Sequence, residues 1–212
     1  MPNLSLEQQL YRQGIQLVAG VDEAGRGPLA GPVVAAAVVL PNDLSGDEFW
    51  LRGIDDSKKL SSRQRERAAD LIHEHAWSVG IGQQSPQEID RLGIGNACIQ
   101  AMLNAVADLT VTPGHLLLDY VPIKQCPYLF DAIVKGDSRS YSIAAASIMA
   151  KVTRDRWMVE RAEVEYPGYS FARHKGYPTA DHRDTLQRRG PCPIHRRSFA
   201  PVRLAEQLCR GG

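Results

Sequence analysis

The stretch from Ile15 to Leu40 constrains this chain more than any other. Two strongly apolar, β-branched runs, Ile15–Val21 and Val33–Leu40, bracket a glycine-rich turn from Ala24 to Gly31. Short runs of this kind, bounded by a turn, predict two core strands in a hairpin-like pair. The first run leads straight into an adjacent acid pair, Asp22-Glu23, followed by Gly25-Arg26-Gly27. A buried strand that meets two carboxylates at its end presents charge where the sheet stops and packing would otherwise continue.

The rest of the chain alternates. Residues 41–60 are turn-rich and charged and read as a loop. Ser61 or Ser62 caps a helix through Arg65 to His75, and Trp77–Ile81 alternates like a third strand. Ser85–Leu109 carries Ile89, Leu92, Ile99, Met102, Leu103 and Val106 at helical spacing, before a turn at Pro113-Gly114. His115–Leu118 is a short buried strand ending at Asp119, and Tyr128–Val134 is another, ending at Lys135-Gly136-Asp137. A helix follows from about Ser140 to Val164, stopped by Tyr166-Pro167-Gly168, and two shorter helical patches cover Ala180–Arg188 and Val202–Leu208. Strands followed by alternating helices and strands predict an α/β fold with a mixed sheet flanked by helices. Residues 1–212 read as one domain, with about 165–212 forming a small C-terminal helical subdomain packed on it.

Composition narrows the class of protein. A chain of 212 residues with 43% hydrophobic and 23% charged residues can build one sizeable core. The net charge of +1 hides an asymmetry: residues 1–150 carry 12 Lys+Arg against 17 Asp+Glu, and residues 151–212 carry 13 against 7. An acidic body beside a basic C-terminal third suits a carboxylate site next to a surface that receives a polyanion. Cys98, Cys126, Cys192 and Cys209 match neither a C-x-x-C pair nor a zinc spacing, which fits a reducing cytoplasm. The polar N-terminus has no secretory h-region, and Leu29–Leu40 falls short of a membrane span, so no membrane attachment is expected.

The chemistry gathers at the acidic positions. Asp22, Glu23, Asp119 and Asp137 each sit where a predicted strand ends or meets a turn, so they can converge at one sheet edge. No Lys, Arg or His lies in their immediate sequence contacts, so local ion pairs are not expected. Packed carboxylates repel one another unless a cation neutralises them, and the hard ions Mg²⁺ or Mn²⁺ suit an all-oxygen site. Two such ions about 3.5–4 Å apart support phosphodiester cleavage. Arg26 between two glycines can hold a phosphate by paired hydrogen bonds, since glycine lets backbone approach a ligand. The same turn also reads as a tight hairpin connection with a solvent-facing Arg. The spacing fails the dinucleotide fingerprint, and the segment leads into a strand instead of a helix.

The string VAGVDEAGRGPLAGPVVAAAVVL resembles the signature of the type 2 ribonuclease H family, of the bacterial ribonuclease HII kind. The likeness continues through Asp56-Ser57-Lys58-Lys59-Leu60, Glu88-Ile89-Asp90, KGDSRSYSIAAASIMAKVTRDR (135–156), His174-Lys175-Gly176-Tyr177-Pro178-Thr179 and His195-Arg196-Arg197-Ser198-Phe199, spanning about residues 16–203. The resemblance implies a ribonuclease H-like fold and an endoribonuclease that acts on RNA–DNA hybrids and on DNA duplexes with embedded ribonucleotides. It would cut 5′ of the ribonucleotide by two-metal-ion catalysis, leaving 3′-OH and 5′-phosphate ends, in ribonucleotide and primer removal. It implies Asp22, Glu23, Asp119 and Asp137 as catalytic metal ligands, and Gly25, Arg26 and Gly27 as contacts to the 2′-hydroxyl and phosphates. Tyr177 would pack on the next deoxyribose, and Lys58, Lys59 and Arg139 would meet phosphates. Lys151, Arg154 and Arg156 read instead as a charged helix face, and His174 and His195 as structural or phosphate-contacting. A monomer is expected. Tyr120-Val121-Pro122 departs from the family pattern, where a small residue should follow Asp119.

Two rivals remain on the sequence. The sister ribonuclease HIII prefers longer hybrids but carries an extra N-terminal domain, for which the residues before the first strand leave no room, and lacks this Gly-Arg-Gly form. A non-catalytic hybrid-binding module on the same fold gains nothing from four carboxylates placed where phosphates lie.

Overall fold

The computed structural model describes residues 1–120, 123 and 126–210, the last through its backbone only. Its centre is a five-stranded sheet of β1 (Val18–Ala24), β2 (Val33–Val39), β3 (Ser78–Gln84), β4 (His115–Asp119) and β5 (Phe130–Ile133), in the spatial order β3-β2-β1-β4-β5. β1–β2 and β2–β3 pair antiparallel, while β1–β4 and β4–β5 pair parallel, giving the expected mixed sheet with its hairpin-like first pair. One boundary differs from the sequence expectation. β1 does not stop at Val21 but runs through the acid pair, with Asp22 opposite Ala36 and Glu23 opposite Ala35. The small β2 partners let the carboxylates stay in the ladder without a cross-strand clash.

The β2 run is buried on both sides, and its two-residue period serves two layers. Ala35, Ala37 and Val39 face one hydrophobic cluster, and Ala36 and Val38 face another. The first is covered by α4 (Ile94–Ala107). The second is covered by α5 (Tyr141–Trp157) and α2 (Ser62–His75). α5 lies so near the sheet that a Cβ on Gly20 would stand 2.1 Å from the Ser142 carbonyl carbon.

Local chemistry sets the helix ends. Ser61 caps α2 in a reciprocal box: its hydroxyl accepts from the Gln64 N–H and the Gln64 side chain accepts from the Ser61 N–H, worth about 1 kcal/mol. The single helix expected over Ser85–Leu109 is two, α3 (Pro86–Leu92) and α4, because Gly93 takes a left-handed φ of 78° between them. The helix expected to reach Val164 leaves α geometry at Trp157. It widens through a π turn at Met158–Ala162 into the short α6 (Glu163–Glu165). An N-terminal α1 (Ser5–Arg12), which the polar pattern had not suggested, buries Glu7, whose Oε1 accepts from the Ser140 and Ser142 hydroxyls at 2.6 and 2.7 Å and from the Ser142 N–H at 3.0 Å. That carboxylate anchors the start of α5.

The C-terminal helices α7 (Phe171–His174), α8 (Ala180–Arg189) and α9 (Ala200–Arg210) pack against the turn after β1. Ala30 sits in a cluster with Met158, Phe171 and Ile194, and Leu29 in another with Leu186, Val202 and Ala205. Among the described residues no helix is long and apolar enough to cross a membrane.

Candidate active site

Parallel pairing brings two of the carboxylates together. Val21 of β1 is in register with Leu118 of β4, so the next residues, Asp22 and Asp119, emerge side by side at the C-terminal ends of neighbouring strands. Ligand sites of open α/β sheets form at such ends. Glu23 follows on β1, and Asp137 sits on a short 3-10 turn, Gly136–Ser138, after β5. Asp119 Oδ1 accepts from the Gly136 N–H at 2.7 Å, which ties the β4 end to that turn. Asp22, Glu23 and Asp119 line one cleft of about 300 Å³ with the Gly25–Gly27 turn, Ser57, Lys58, Ser147, Lys151 and Tyr177.

Electrostatics mark these carboxylates as strained in charge. Burial, then repulsion from Glu23 and Asp119, pushes Asp22 well above the ordinary carboxylate range, against a hydrogen bond from Ser147. The Ser57 and Ser147 hydroxyls lie 2.9 Å apart, so a short buried chain runs from the 55–60 loop to Asp22. Burial also raises Glu23, although the Arg26 guanidinium beside it opposes the shift. Asp119 is raised by burial and by Asp137, and lowered by the Gly136 N–H and by Lys58.

The expectation of no local ion pairs does not hold. Arg26 Nη1 lies 3.1 Å from Glu23 Oε1, and Lys58 Nζ lies 3.1 Å from Asp137 Oδ2. The first pair is only three residues apart, and the turn folds the Arg back over its neighbour. The second is closed by tertiary structure across 79 positions, which sequence proximity does not reveal.

The donor set suits a hard divalent cation. The ligands offered are carboxylate oxygens, those of Asp22, Glu23 and Asp119 disfavoured in their charged form, and a lysine ammonium already lies against Asp137. Among the described residues no three His, Cys, Asp or Glu side chains close on a common point. Mg²⁺ needs no such cage, because it is held by one or two carboxylates together with substrate phosphates and water.

Around the carboxylates, the turn is shaped from behind. Gly25 has φ 101°, and a Cβ there would stand 2.3 Å from Arg154 Nε. Gly27 has nothing within 4 Å of a notional Cβ, so its lack of a side chain opens space toward the cleft. Tyr177 is 37% exposed at the rim, with Lys151 Nζ 5.2 Å and Arg154 Cζ 5.7 Å from its ring centre. Lys59 pairs instead with Asp55 at 3.5 Å, and the exposed Arg139 closes the Gly136–Ser138 turn; neither lines the cleft. Tyr120 takes a left-handed φ of 58° directly after Asp119, the position where a small residue was expected, while Val121 and Pro122 lie outside the described residues.

Sequence reasoning missed the two residues that shape the turn. Arg154, read as part of a helix face, is fully buried and donates to the carbonyls of Pro32 and Ala30 at 2.9 and 3.1 Å. Arg196, also fully buried, donates to the carbonyls of Gly25, Arg26, Gly31 and Pro32 at 2.6–3.1 Å. Burial and the neighbouring Arg154 push Arg196 down to about 9, which leaves it charged at neutral pH. The remaining two of that trio stay at the surface side: Lys151 pairs with Asp155 at 2.7 Å and Arg156 with Glu66.

His174 and His195 are buried and structural. His182 Nδ1 faces the Tyr177 carbonyl at 2.9 Å, and its Nε2 faces His195 Nε2 at 3.1 Å. A carbonyl only accepts, so His182 donates from Nδ1, and His195 donates to its Nε2. The Cys192 N–H then donates to His195 Nδ1 at 3.0 Å, and both rings are neutral. Burial lowers His182 to about 4 and His195 to about 3, in keeping with that network.

Comparison with known proteins follows the same outline. The family model described as Ribonuclease HII matches residues 19–202. A ribonuclease HII of Myxococcus xanthus is 51% identical over 209 residues, covering 98% of this chain and 69% of that protein. The crystal structure of ribonuclease H2 from Pyrococcus horikoshii superposes with a TM-score of 0.76 at 28% identity, covering 92% of this chain and 100% of that one. Bst-RNase HIII, solved in complex with Mn²⁺, shares the fold at 18% identity and a TM-score of 0.67, covering 95% of this chain and 73% of that one.

Proposed function

Since the chain belongs to the ribonuclease HII family, a family of enzymes that cleave RNA in RNA–DNA hybrids, we propose that it also hydrolyses the phosphodiester 5′ of a ribonucleotide embedded in duplex DNA, leaving 3′-OH and 5′-phosphate ends. The observation that carries this reading is the cleft itself. Carboxylates disfavoured in their charged state face a glycine-flanked arginine and a rim tyrosine across one opening. Asp22, Glu23, Asp119 and Asp137 would hold two divalent ions, Mg²⁺ or Mn²⁺, as the Mn²⁺ complex of the HIII neighbour suggests. Bound there, the ions would offset the charge of the carboxylates and the scissile phosphate and make water nucleophilic at neutral pH.

The chain's own groups supply the rest. Ser147 orients Asp22, and the Gly136 N–H orients Asp119. Lys58 offers an ammonium to a phosphate once Asp137 is otherwise neutralised. The open space at Gly27 admits the sugar edge, where the 2′-hydroxyl distinguishes RNA from DNA. Tyr177 presents its ring to the neighbouring sugar, backed by Lys151 and Arg154. The reading takes residues 1–212 as one catalytic unit, monomeric and cytoplasmic, serving ribonucleotide and primer removal.

The test is incubation of three labelled duplexes with Mg²⁺ and then with EDTA: one with a single ribonucleotide, one all-DNA, and one all-RNA/DNA hybrid. Cutting of the first and third, abolished by EDTA, supports the proposal. Cutting of the hybrid alone would move the enzyme toward ribonuclease HIII behaviour and remove the roles given to Arg26 and Tyr177.

A further inference from the structure

The Gly25–Pro32 turn carries two buried arginines behind it: the half-buried Asp155 lies 4.0 Å from Arg154 Nη1, and Arg196 has no ion pair among the described residues. The guanidinium of Arg196 reaches four carbonyls, those of Gly25, Arg26, Gly31 and Pro32, from 164 to 171 positions away in the chain. Arg154 adds the carbonyls of Ala30 and Pro32. Backbone bonds stitch the same turn to the C-terminal segment: the Leu29 N–H donates to the Gly176 carbonyl, the Gly31 N–H to the Ile194 carbonyl, and the Arg196 N–H to the Leu29 carbonyl, all at 2.8–2.9 Å. The chain of neutral histidines runs from the Tyr177 carbonyl through His182 to His195, the residue before Arg196. The two recognition elements, the arginine turn and Tyr177, therefore share one buried polar scaffold.

A buried guanidinium is costly, and two beside each other more so. Apolar residues would fill the same volume at lower cost, so the forked donor geometry is what the turn uses. By drawing the Gly25 and Arg26 carbonyls inward, Arg196 fixes which way the peptide units of that turn face at the cleft. Lysine keeps the charge but lacks the planar fork that spans several carbonyls.

We infer that Arg196 is a positioning residue for ribonucleotide discrimination: it acts through the Gly25-Arg26 backbone, with Arg154 as its partner, and touches no substrate. The inference rests on the proposed function, since it concerns how the turn selects an embedded ribonucleotide. A single ribonucleotide must be met in one register, whereas a hybrid offers a 2′-hydroxyl at every register. Loosening the turn therefore costs more on the first substrate than on the second.

The experiment compares wild type with Arg196→Lys and Arg154→Lys. It reads kcat/KM on the single-ribonucleotide duplex and on the hybrid, below each variant's melting temperature, together with Mn²⁺ affinity by calorimetry. Arg196→Lys should lose about 10- to 100-fold on the single ribonucleotide, the size of effect that misplacement by up to about 1 Å produces, and only a few-fold on the hybrid. Mn²⁺ affinity should stay within twofold, and Arg154→Lys should shift the same ratio in the same direction. Equal losses on both substrates, an unchanged ratio, or failure of both variants to fold would reduce the arginines to a core role and overturn the inference. If wild type itself ignores the single ribonucleotide, the proposed function fails first, whatever the variants do.

Discussion

Lys58 Nζ stands 3.1 Å from Asp137 Oδ2, so an exposed side chain from the 55–60 loop supplies positive charge at the edge of a group of carboxylates, among which Asp137 repels Asp119. The Lys58 side chain is 77% exposed, and an exposed pair is worth about 0.2–1 kcal/mol. Replacing Lys58 by Met should therefore tighten Mn²⁺ binding by up to about fivefold in calorimetry. It should also raise KM for the nucleic acid, because the ammonium no longer meets a phosphate. Weaker Mn²⁺ binding in the variant would contradict this account of the pair.

Asp22 is raised by burial and by its acidic neighbours, so its ionisation opposes folding as pH rises through the carboxylate range. Asp22→Asn removes that charge with little change of shape. Cleavage should fall by about 100-fold or more, the several kcal/mol that a bound ion supplies. The metal-free variant should nevertheless melt a few degrees higher than wild type, and added Mn²⁺ should raise its melting temperature less. Unfolding of the variant at lower temperature would show that Asp22 is structural.

The two glycines flanking Arg26 should separate cleanly. Gly25→Ala places a methyl 2.3 Å from Arg154 Nε at φ 101°, and it should cost about 1–3 kcal/mol in urea unfolding. Gly27→Ala meets nothing within 4 Å, so stability should stay within about 0.5 kcal/mol. Any loss of activity in Gly27→Ala is then a clash with substrate. Comparable destabilisation of the two variants would refute the distinction.

Much of this architecture is legible in the chain because local rules produce it. The β2 run, the Ser61 cap and the Asp119 strand end each follow from neighbours a few residues away. The supports of the turn are not legible in that way. Arg154 and Arg196 carry charge, which ordinarily marks a surface, and their carbonyl partners lie 122 to 171 positions away. Glu7 is hidden for the same reason, since it meets Ser140 and Ser142 from the other end of the sequence. Gly93 and the π turn after Trp157 interrupted helices whose apolar spacing carried straight on.

His182 and His195 give the fold an acid limit. Their ordinary value is 6.5, and burial lowers them to about 4 and about 3. Between those values the unfolded chain binds protons that the folded chain refuses. Their stabilising effect is thus whole above pH 6.5 and is lost as the pH falls toward 4 and 3. Urea unfolding should show stability declining below that point by about 1.4 kcal/mol per pH unit for each histidine. A profile flat to pH 4.5, well inside the window, would contradict the neutral network.

The most direct test of the central claim moves one ribonucleotide stepwise along a labelled DNA strand and maps the cut in Mg²⁺ at each position. The cut should follow the ribonucleotide, always at the phosphodiester on its 5′ side, and leave 3′-OH and 5′-phosphate ends. A cut that stays at a fixed position, falls on the 3′ side, or disappears when only one ribonucleotide is present would contradict the account.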